Sequence, residues 1–556
     1  MPSERRRRVF VPLLGASFGL AAGDVLLGLN PHLMGPLSAA RLLMPCALFG
    51  GALGALAGAA KRPATRRGLL TLVFFGSLLV VLIAETERQV WYAFLPNGAR
   101  RIFVVTCVAA GSTAFSAVLA RWRGSDESWP VAVAFVAFLL APAAGRRLRD
   151  RDPLASPPHV SKAATRSLLV VGIDGASWSF LASEASSGFL PTIARLLAEG
   201  AAGPLRTLEP YDRAALYTTA ATGKLPRKHG VVSSTVIDSA LGTMRLLPRA
   251  PAGAVLDPFP FAARRSAALD RRSLTLWEIL AARGHGAAVL GWPATRPARE
   301  GLVLWASEEF FLGDVSAESA RPAETAARAN LFHVDVARLD RPLVRSLLPK
   351  ALTESDRRWA SPLEGAARDL SVAGAALAAV PKGAGNVSAL VLTGLASVAR
   401  AFSPAANPAG YFGVASENAD ARALALRAYY RFLDETIADL LVREGEERTV
   451  CVFAPVGYGP PPGFGSALDF IRGREPRAGP DAGADGFVLL SGPGIRRGAR
   501  LTSASVVDLA PTLLVLAGEP IARDMDGRVL AEAFDARYAE EAAIPVVTTF
   551  EPAGPQ

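Results

Sequence analysis

The chain has 556 residues, a formal net charge of +10 and 51% hydrophobic residues. This length exceeds one average domain. The apolar residues are concentrated in residues 9–145, whereas residues 166–540 have the composition of a globular α/β protein. The arginines cluster beside apolar runs and form no basic stripe with interleaved aromatic residues, which argues against nucleic-acid binding. The three cysteines, Cys46, Cys107 and Cys451, cannot form a disulfide framework within the soluble part.

Five apolar segments near the N-terminus are long enough, or nearly so, to cross a bilayer with about 30 Å of hydrocarbon. They lie near Val9–Leu29, Leu37–Ala60, Leu69–Ala84, Ile102–Ala120 and Trp129–Ala144. We therefore predict a transmembrane region of about five helices over residues 1–145. The first segment is too long for a signal peptide, lacks a clear small-residue cleavage site and precedes four more apolar runs.

Basic clusters indicate the orientation of these segments. Arg5–Arg8 precede the first segment and Lys61–Arg67 lie between the second and third, and such clusters remain in the cytoplasm. Five crossings then place the following domain outside the cytoplasm, although Arg146–Arg151 would lie on the outer side and argue against this. We expect an integral protein of the cytoplasmic membrane with an extracytoplasmic soluble domain.

Two features inside these segments have alternative interpretations. Gly50, Gly54 and Gly58 share one helix face, where helices can approach closely. We expect packing within the chain, with dimerisation as the alternative. Asp24 is a costly charge inside the first segment. We expect it to pair with Arg41, and a substrate or lipid path is the alternative.

Residues 146–165 have the charges, prolines and small polar residues of a linker. The next segment, Ser167–Ile173, is an apolar run of strand length, as in a buried parallel strand. It ends in Asp174-Gly175. Because ligands in open α/β sheets lie beyond the carboxyl ends of the strands, Asp174 is well placed to hold a metal ion.

Five motifs follow one another from this strand onward. They are VVGIDGASW, LPTIARLLAEGA, TGKLPRKHGV, LSGPGIRRGARL and VVDLAPTLLVLAGEPIARDMDGRVL. In this order they resemble the alkaline phosphatase superfamily, and most closely its type I phosphodiesterase/nucleotide pyrophosphatase branch. The resemblance implies an α/β domain over residues 166–540 with a doubly wound, mostly parallel sheet. It also implies a cap insertion at about 231–385, which leaves residues 541–556 as a C-terminal tail.

The resemblance further implies two divalent metal ions, usually zinc, held by Asp and His side chains, and a Ser or Thr nucleophile. Asp174 retains the position of the first metal ligand. The nucleophile position is occupied by Arg213, which follows Asp212, while Thr218 and Thr219 lie on the helix beyond it. The other matching ligand positions carry side chains that do not bind metals, namely Ala396, Arg400, Pro455, Val456 and Ala482.

No histidine follows His333 in the sequence. Zinc sites need nitrogen or sulfur donors in most cases, so Asp174 is a residual ligand that is insufficient alone. We therefore expect no cofactor and a catalytically degenerate pocket. A buried carboxylate needs a compensating group, and Arg400 is our candidate near Asp174. For Arg213 we consider an internal ion pair in the vacated metal site, beside Asp212, or an anion-binding role.

The remaining polar candidates are better explained by structure than by chemistry. His229 is expected to be structural, Asp485 to serve a turn, and His285 to be a surface or capping residue. His333 is isolated and is expected to be packed or solvated. The loop Trp292–Thr295 is expected to be a rigid turn, with ligand contact as the alternative.

These features predict a membrane-anchored pseudoenzyme with a binding or scaffolding role in the cell envelope. Its expected partners are the membrane and an envelope protein or phosphate-containing ligand, but no nucleic acid. The alternative is an active metal-dependent phosphodiesterase or phosphoryl-group transferase that uses two zinc ions on phosphate-containing envelope molecules. A transport or lipid-handling role of the membrane half is a third hypothesis, to which only Asp24 and Arg41 point.

Overall fold

The structure is a computed structural model of the chain. It describes residues 2–30, 33, 35–59, 66–92, 94–95, 99–100, 103–104, 106–108, 110–111, 167–239, 242–246, 262–336, 339, 360–381, 387–406, 411, 419–444, 448–459, 478–479, 486–536 and 545–551. The chain divides into two compact units. The first comprises Met1–Leu154 and Val232–Arg265, and the second comprises Ala155–Val231 and Ser266–Gln556.

Three long helices open the first unit, α1 (Pro2–Leu29), α2 (Pro36–Ala59) and α3 (Arg66–Val90). They cover the first three predicted membrane segments. Within the described residues, the stretches Val11–Leu29 and Leu37–Leu56 are long and apolar enough to cross a membrane. The fourth predicted segment is described only in part, and the fifth lies outside the described residues.

Helices α1 and α2 pack at backbone contact through glycines. A Cβ atom added to Gly50 would lie 2.2 Å from the carbonyl oxygen of Gly15, and one added to Gly54 would lie 2.4 Å from that of Val11. A Cβ atom on Gly19 would lie 2.0 Å from the carbonyl oxygen of Cys46. Gly50 and Gly54 therefore serve packing within the chain, as expected from their spacing. On the same helices Asp24 is buried whereas Arg41 is exposed, and their pairing stays a prediction.

The first unit also contains a small antiparallel sheet of order β4-β3-β5. Its strands are β3 (Thr235–Ser239), β4 (Gly242–Met244) and β5 (Ala262–Arg265). Ile237 and Met244 on two of these strands pack in one buried cluster with Leu26, Leu27 and Leu42 of α1 and α2.

The buried amide of Asn30 ties the end of α1 to the segment that follows β4. Its Nδ2 donates to the carbonyl oxygens of Leu26 and Leu246, both at 2.9 Å. Its Oδ1 accepts from the backbone N–H groups of Arg245 at 2.7 Å and Leu246 at 3.1 Å. Since a buried amide that loses its partners costs about 1–3 kcal/mol, this side chain selects one arrangement of the helix end and the segment.

The second unit is built on one large sheet. Its strands are β1 (Leu168–Ile173), β2 (Ala201–Arg206), β6 (Ala287–Trp292), β7 (Leu304–Ser307), β8 (Ala320–Arg321), β9 (Val387–Leu392), β10 (Thr449–Ala454), β11 (Gly486–Ser491), β12 (Ala499–Arg500) and β13 (Ala504–Ser505). Among the described residues the order is β12-β2-β11-β10-β1-β9-β6-β7-β8, with β13 beside β2. The five central strands from β10 to β7 are parallel to one another, and β11 and β8 are antiparallel to their inner neighbours.

Helices cover both faces of this sheet. They are α4 (Trp178–Ser186), α5 (Pro191–Glu199), α6 (Arg213–Thr222), α7 (Pro226–His229), α8 (Leu276–Ala282), α9 (Ala323–Asn330), α10 (Ala360–Ala378), α11 (Gly394–Ala406), α12 (Ala419–Glu444) and α13 (Leu509–Leu516). The alternation along β1 places Leu169, Val171 and Ile173 in the core on one face, and Leu168 and Val170 in the core on the other. This confirms the predicted doubly wound, mostly parallel α/β fold, since a strand buried on both faces is a continuous apolar run.

The segment predicted as a cap, residues 231–385, is not a single insertion. Its strands β6, β7 and β8 extend the central sheet beyond β9, whereas β3–β5 belong to the first unit. The physical reason is the apolar sequence of β6, which pairs in register with β9 from Ala287 opposite Val387 to Leu290 opposite Leu390.

Part of the predicted C-terminal tail, residues 541–556, packs on the second unit. Strand β15 (Val546–Val547) pairs with β14 (Ile521–Ala522). Beyond it, Glu551 accepts a hydrogen bond from the Lys224 ammonium group at 2.9 Å. Residues 545–551 are therefore part of the folded α/β unit.

We predict that alanine destabilises the chain at one of two neighbouring glycines of α2 and not at the other. Gly50→Ala will lower the melting temperature of the detergent-solubilised chain, because the new methyl group meets the backbone of α1 and overpacking costs about 1–3 kcal/mol. Gly51→Ala is the matched control, because its Cβ atom would find only an ordinary contact, 3.5 Å from Ala16. Equal melting temperatures for the two variants would contradict the close α1–α2 packing.

Candidate functional site

The candidate site lies where the parallel strands of the large sheet end. Asp174 directly follows β1, and its backbone N–H donates to the carbonyl oxygen of Leu392 at 2.9 Å. Gly175 has a φ of +86°, and a Cβ atom there would lie 2.8 Å from the Cα of Ala396 and 3.0 Å from the ring of Tyr458. Only glycine suits this conformation and this contact, so the β1 turn is held against the residues that follow β9 and β10.

The carboxylate of Asp174 is buried, with 2% of the residue exposed. The hydroxyl group of Tyr211 donates to its Oδ1 at 3.2 Å. Burial raises the pKa of Asp174, while the positive charge of Arg213, the hydrogen bond from Tyr211 and the charge of Arg400 oppose that rise. Burial and the neighbouring Asp174 also hold the pKa of Tyr211 well above its usual value.

Arg213 begins α6 and forms an ion pair with Glu308. Glu308 follows β7 and is buried, with 4% of the residue exposed. Burial alone would lower the pKa of Arg213, but the carboxylates of Glu308 and Asp174 raise it overall. The guanidinium group is therefore firmly charged and lies within electrostatic reach of two buried carboxylates.

Asp212 has a different role from the ion pair considered in the sequence analysis. It is the N-cap of α6, where its Oδ1 accepts from the backbone N–H of Ala215 at 3.0 Å. Arg213 instead forms an ion pair with Glu308, 95 residues away along the chain. Sequence reasoning missed Glu308 because it lies in the segment assigned to the cap, and its position directly after an apolar strand is the signal that marks it.

Arg400 lies on α11, one turn after the buried Ala396. Its Nη2 donates to the hydroxyl group of Tyr458 at 3.3 Å, and its Cζ lies 5.8 Å from the centre of that ring. Its charge favours the ionised form of Asp174. Pro455 and Val456 are buried directly after β10, whereas Ala482 and Asp485 lie outside the described residues.

The model of the family described as type I phosphodiesterase / nucleotide pyrophosphatase matches residues 168–460. The chain belongs to this family. No curated protein matches significantly. Among solved structures, the chain is similar to a mutant of the alkaline phosphatase PafA, with 12% identity, a TM-score of 0.40 and coverage of 67% of this chain and 100% of that one.

Two further similar structures are a 2-O GAG sulfatase and the murine ectonucleotide pyrophosphatase / phosphodiesterase 5. The sulfatase has 12% identity and a TM-score of 0.39, and the match covers 67% of this chain and 74% of that chain. The murine protein has 11% identity and a TM-score of 0.34, and the match covers 66% of this chain and 100% of that chain.

The donors around Asp174 do not fit the two-metal centre that the phosphodiesterase family implies. The described groups that act on it are the hydroxyl group of Tyr211, the guanidinium groups of Arg213 and Arg400, and the carboxylate of Glu308, which is itself paired with Arg213. Guanidinium groups have no lone pair for a cation and repel it electrostatically. In the described part of the chain, no group of three or more His, Cys, Asp and Glu side chains could hold a metal ion.

The histidines of the α/β unit include two buried side chains with defined partners. His229 is fully buried, with its Nε2 at 3.0 Å from the Thr219 hydroxyl and its Nδ1 accepting from the backbone N–H of Val231 at 3.2 Å. Burial, together with the charges of Arg271 and Lys224, lowers the pKa of His229 to about 3. It is therefore a neutral residue of the α6–α7 packing.

The other two histidines differ in burial. His285 was expected at the surface or at a helix cap. Its backbone N–H donates to the carbonyl oxygen of Leu280 in the last turn of α8 at 3.0 Å, but its side chain is buried and has its Nε2 at 2.9 Å from Glu519. The reason is that α13 and the turn after it close over the α8–β6 turn and bring this carboxylate. His333 is exposed.

The loop Trp292–Thr295 is tied to the body of the domain. The hydroxyl group of Thr295 donates to the carbonyl oxygen of Trp292 at 2.6 Å. The indole N–H of Trp292 donates to the carbonyl oxygen of Tyr217 at 3.1 Å. These bonds give the loop the character of a rigid turn.

Asp369 is a second buried carboxylate at this edge of the sheet, and sequence reasoning missed it. It lies on α10 and accepts from the backbone N–H of Thr393 at 2.7 Å, that of Gly394 at 3.0 Å and the hydroxyl group of Tyr429 at 2.8 Å. Burial raises the pKa of Asp369 to about 6, and these bonds oppose the rise. The carboxylate fixes the junction of β9 and α11, the helix that carries Arg400.

We predict strong coupling between Arg213 and Glu308. Arg213→Met will leave a buried carboxylate without its partner and will lower the free energy of unfolding by about 3–5 kcal/mol. Glu308→Gln alone will also destabilise the chain. The double variant will recover part of the loss, which chemical denaturation of all four proteins measures as a coupling energy. Additive effects would mean that the ion pair does not form.

We also predict a pH dependence that arises from Asp369. Because its folded pKa of about 6 exceeds its unfolded value, its contribution to stability is present at low pH and is lost as pH rises to about 6. Asp369→Asn mimics the neutral side chain without titrating. The melting temperature of the wild type minus that of Asp369→Asn will fall between about pH 4 and pH 6. A difference that stays constant with pH would contradict this assignment.

Proposed function

We propose that this chain is a membrane-anchored phosphodiesterase-family protein whose catalytic pocket is degenerate and which acts by binding or scaffolding in the cell envelope. One observation carries the proposal. Arg213, at the position where the sequence resemblance implies the nucleophile, forms an ion pair with Glu308 close to the buried Asp174. Nucleophilic attack on phosphorus needs a hydroxyl group activated by a base or a metal, and a guanidinium group supplies neither.

The electrostatics of the pocket support the same proposal. Metal ions in an active family member would supply the positive charge that stabilises the phosphoryl group in the transition state. Here Arg213 and Arg400 supply positive charge to Asp174 instead. A phosphate-containing envelope molecule or an envelope protein is the proposed partner, recognised without turnover.

Contacts within the first unit support an extracytoplasmic position for the phosphodiesterase domain. Helix α1 has 28 residues, which span about 42 Å, enough to place Arg5–Arg8 and Asn30 on opposite sides of a bilayer. Asn30 bonds to Leu246 beside the small sheet β3–β5. The chain enters that sheet from the α/β unit at Val231 and returns to it at Ser266. With the basic N-terminus in the cytoplasm, the sheet lies outside, and so does the α/β unit, from which the chain enters the sheet and to which it returns.

The test of the proposed function is metal content combined with activity of the full chain in neutral detergent. We expect no stoichiometric zinc by mass spectrometry, and hydrolysis of bis(4-nitrophenyl) phosphate equal to that of Asp174→Ala. An active member of the family, assayed in the same buffer, is the positive control. Paired zinc in each chain together with turnover that Asp174→Ala abolishes would establish the active alternative instead.

The test of orientation is labelling of single cysteines in intact cells. In a variant in which Cys46, Cys107 and Cys451 are replaced by alanine, Ser187→Cys adds an exposed thiol on the α/β unit. We expect a membrane-impermeant maleimide to label it without permeabilisation. Ser3→Cys, beside the basic cluster, is the matched control and will be labelled only after permeabilisation. The reverse pattern would place the domain in the cytoplasm.

A further inference from the structure

A cavity of about 520 Å³ lies in the α/β unit at the edge of the sheet opposite Asp174. Its lining comes from α5, α12, the start of β10 at Arg448 and the loop that begins at Ser491. The strands between the two edges have six residues, as in β1 and β10, which corresponds to about 20 Å. The cavity is therefore separate from the pocket around Asp174.

The loop that closes this cavity has a defined shape. Gly492 has a φ of +122°, and a Cβ atom there would lie 2.4 Å from the carbonyl oxygen of Arg448. The backbone N–H of Ile495 donates to the carbonyl oxygen of Gly492 at 3.2 Å. Only glycine permits this approach of the loop to the start of β10, so the wall of the cavity exists before any ligand binds.

Among the described residues, the charged groups of the lining are the guanidinium groups of Arg195, Arg448 and Arg497 and the carboxylate of Glu199. Arg448 is buried and donates to the carbonyl oxygen of Leu168 at 3.4 Å, which leaves Arg195 and Arg497 as the exposed cations. The Arg195–Glu199 pair is 3.4 Å long and about half exposed, and such surface pairs contribute little. The C-terminal ends of α5 and α12 each add about half a negative charge. Arg195 and Arg497 are exposed, so theirs are the guanidinium groups that can donate charge-assisted hydrogen bonds to an anion in the cavity.

One wall of the cavity is apolar. Leu196, Leu441, Val442 and Ile495 contribute to it. Val442 leaves 85% of its surface exposed although it lies on α12, whose opposite face is in the core. Burying such a side chain against an apolar group is favourable, because it removes apolar surface from water. The cavity thus combines anion recognition with a surface for an apolar group.

We propose that this cavity binds an amphiphilic organic phosphate or sulfate. The oxyanion lies between Arg195 and Arg497, which can form charge-assisted hydrogen bonds with it, and the apolar part lies against Leu441 and Val442. The volume falls within the range of about 300–1,000 Å³ that is usual for small-ligand sites. The proposal does not depend on whether the pocket around Asp174 is active or degenerate.

Calorimetric titration of the full chain in neutral detergent tests this proposal with three probes. They are inorganic phosphate, phenyl phosphate and dihexanoyl phosphatidic acid, which separate a free anion, a soluble organic phosphate and a lipid headgroup. We expect saturable binding of at least one organic phosphate that is stronger than binding of inorganic phosphate. Absence of saturable binding of both organic phosphates would overturn the proposal.

Variants locate the binding site. Arg195→Glu with Arg497→Glu will weaken binding of the organic phosphate at least about tenfold, because one charge-assisted hydrogen bond is worth more than the free energy of a tenfold change. Arg497→Gln, at an exposed position, gives a milder test that the fold will tolerate. Arg328→Glu is the matched control, since Arg328 also forms an exposed pair with a glutamate one turn away, and it will leave affinity unchanged.

Two outcomes would overturn the assignment to this cavity. One is equal affinity of the wild type and the Arg195→Glu, Arg497→Glu variant, with correct folding of both checked by circular dichroism. The other is loss of binding in Arg400→Glu but not in the cavity variant, which would place the ligand beside Asp174. Neither outcome bears on zinc content or phosphodiester hydrolysis, so failure here is distinguishable from failure of the proposed function.

Discussion

A buried carboxylate at the end of β1 must be compensated by charge or by hydrogen bonds, because leaving an ionised group uncompensated in the interior costs several kcal/mol. Asp174 meets this requirement with the hydroxyl group of Tyr211 and the nearby guanidinium groups of Arg213 and Arg400. The remaining features of the site follow from this compensation. Arg213 is itself largely buried and needs Glu308, and Arg400 needs a helix held in a fixed position.

Asp369 holds α11, the helix of Arg400, in place. Its buried carboxylate accepts hydrogen bonds from the backbone N–H groups at the start of that helix. The site is therefore a network in which each charged group is satisfied by another part of the fold. Such networks favour a single arrangement of their members, since a group that loses its partner is penalised more than a surface group would be. This rigidity is compatible with the proposed recognition of a partner.

The first unit follows the same principle with neutral groups. The amide of Asn30 satisfies both of its polar atoms with backbone groups of α1 and of the segment after β4. Glycines then let α1 and α2 approach until their backbones touch. The small sheet is inserted in the chain of the α/β unit. The amide side chain of Asn30 therefore fixes the end of α1 to Leu246, which is 216 residues away along the chain.

Some of this was determined by local sequence. The continuous apolar run of β1, the Asp-Gly after it and the glycine spacing of α2 depend on the backbone and on neighbours in the chain, so pattern alone predicted them. Residue identity alone places Arg213, Ala396 and Arg400 at positions where the family resemblance implies a nucleophile or metal ligands. It also shows that no histidine follows His333. These features were sufficient to predict the fold class, and they are the basis of the hypothesis of a pocket without metal donors, which stays a prediction.

Only the tertiary structure decided which groups compensate one another. Glu308 reaches Arg213, Asp369 reaches Gly394 and Glu519 reaches His285 because strand order and helix packing bring distant segments together. The same holds for β6–β8, whose place in the central sheet rather than in a cap results from pairing with β9. Sequence patterns predict which residues are buried. The partner of a buried charge depends on which strands and helices pack together, and that is a property of the whole fold.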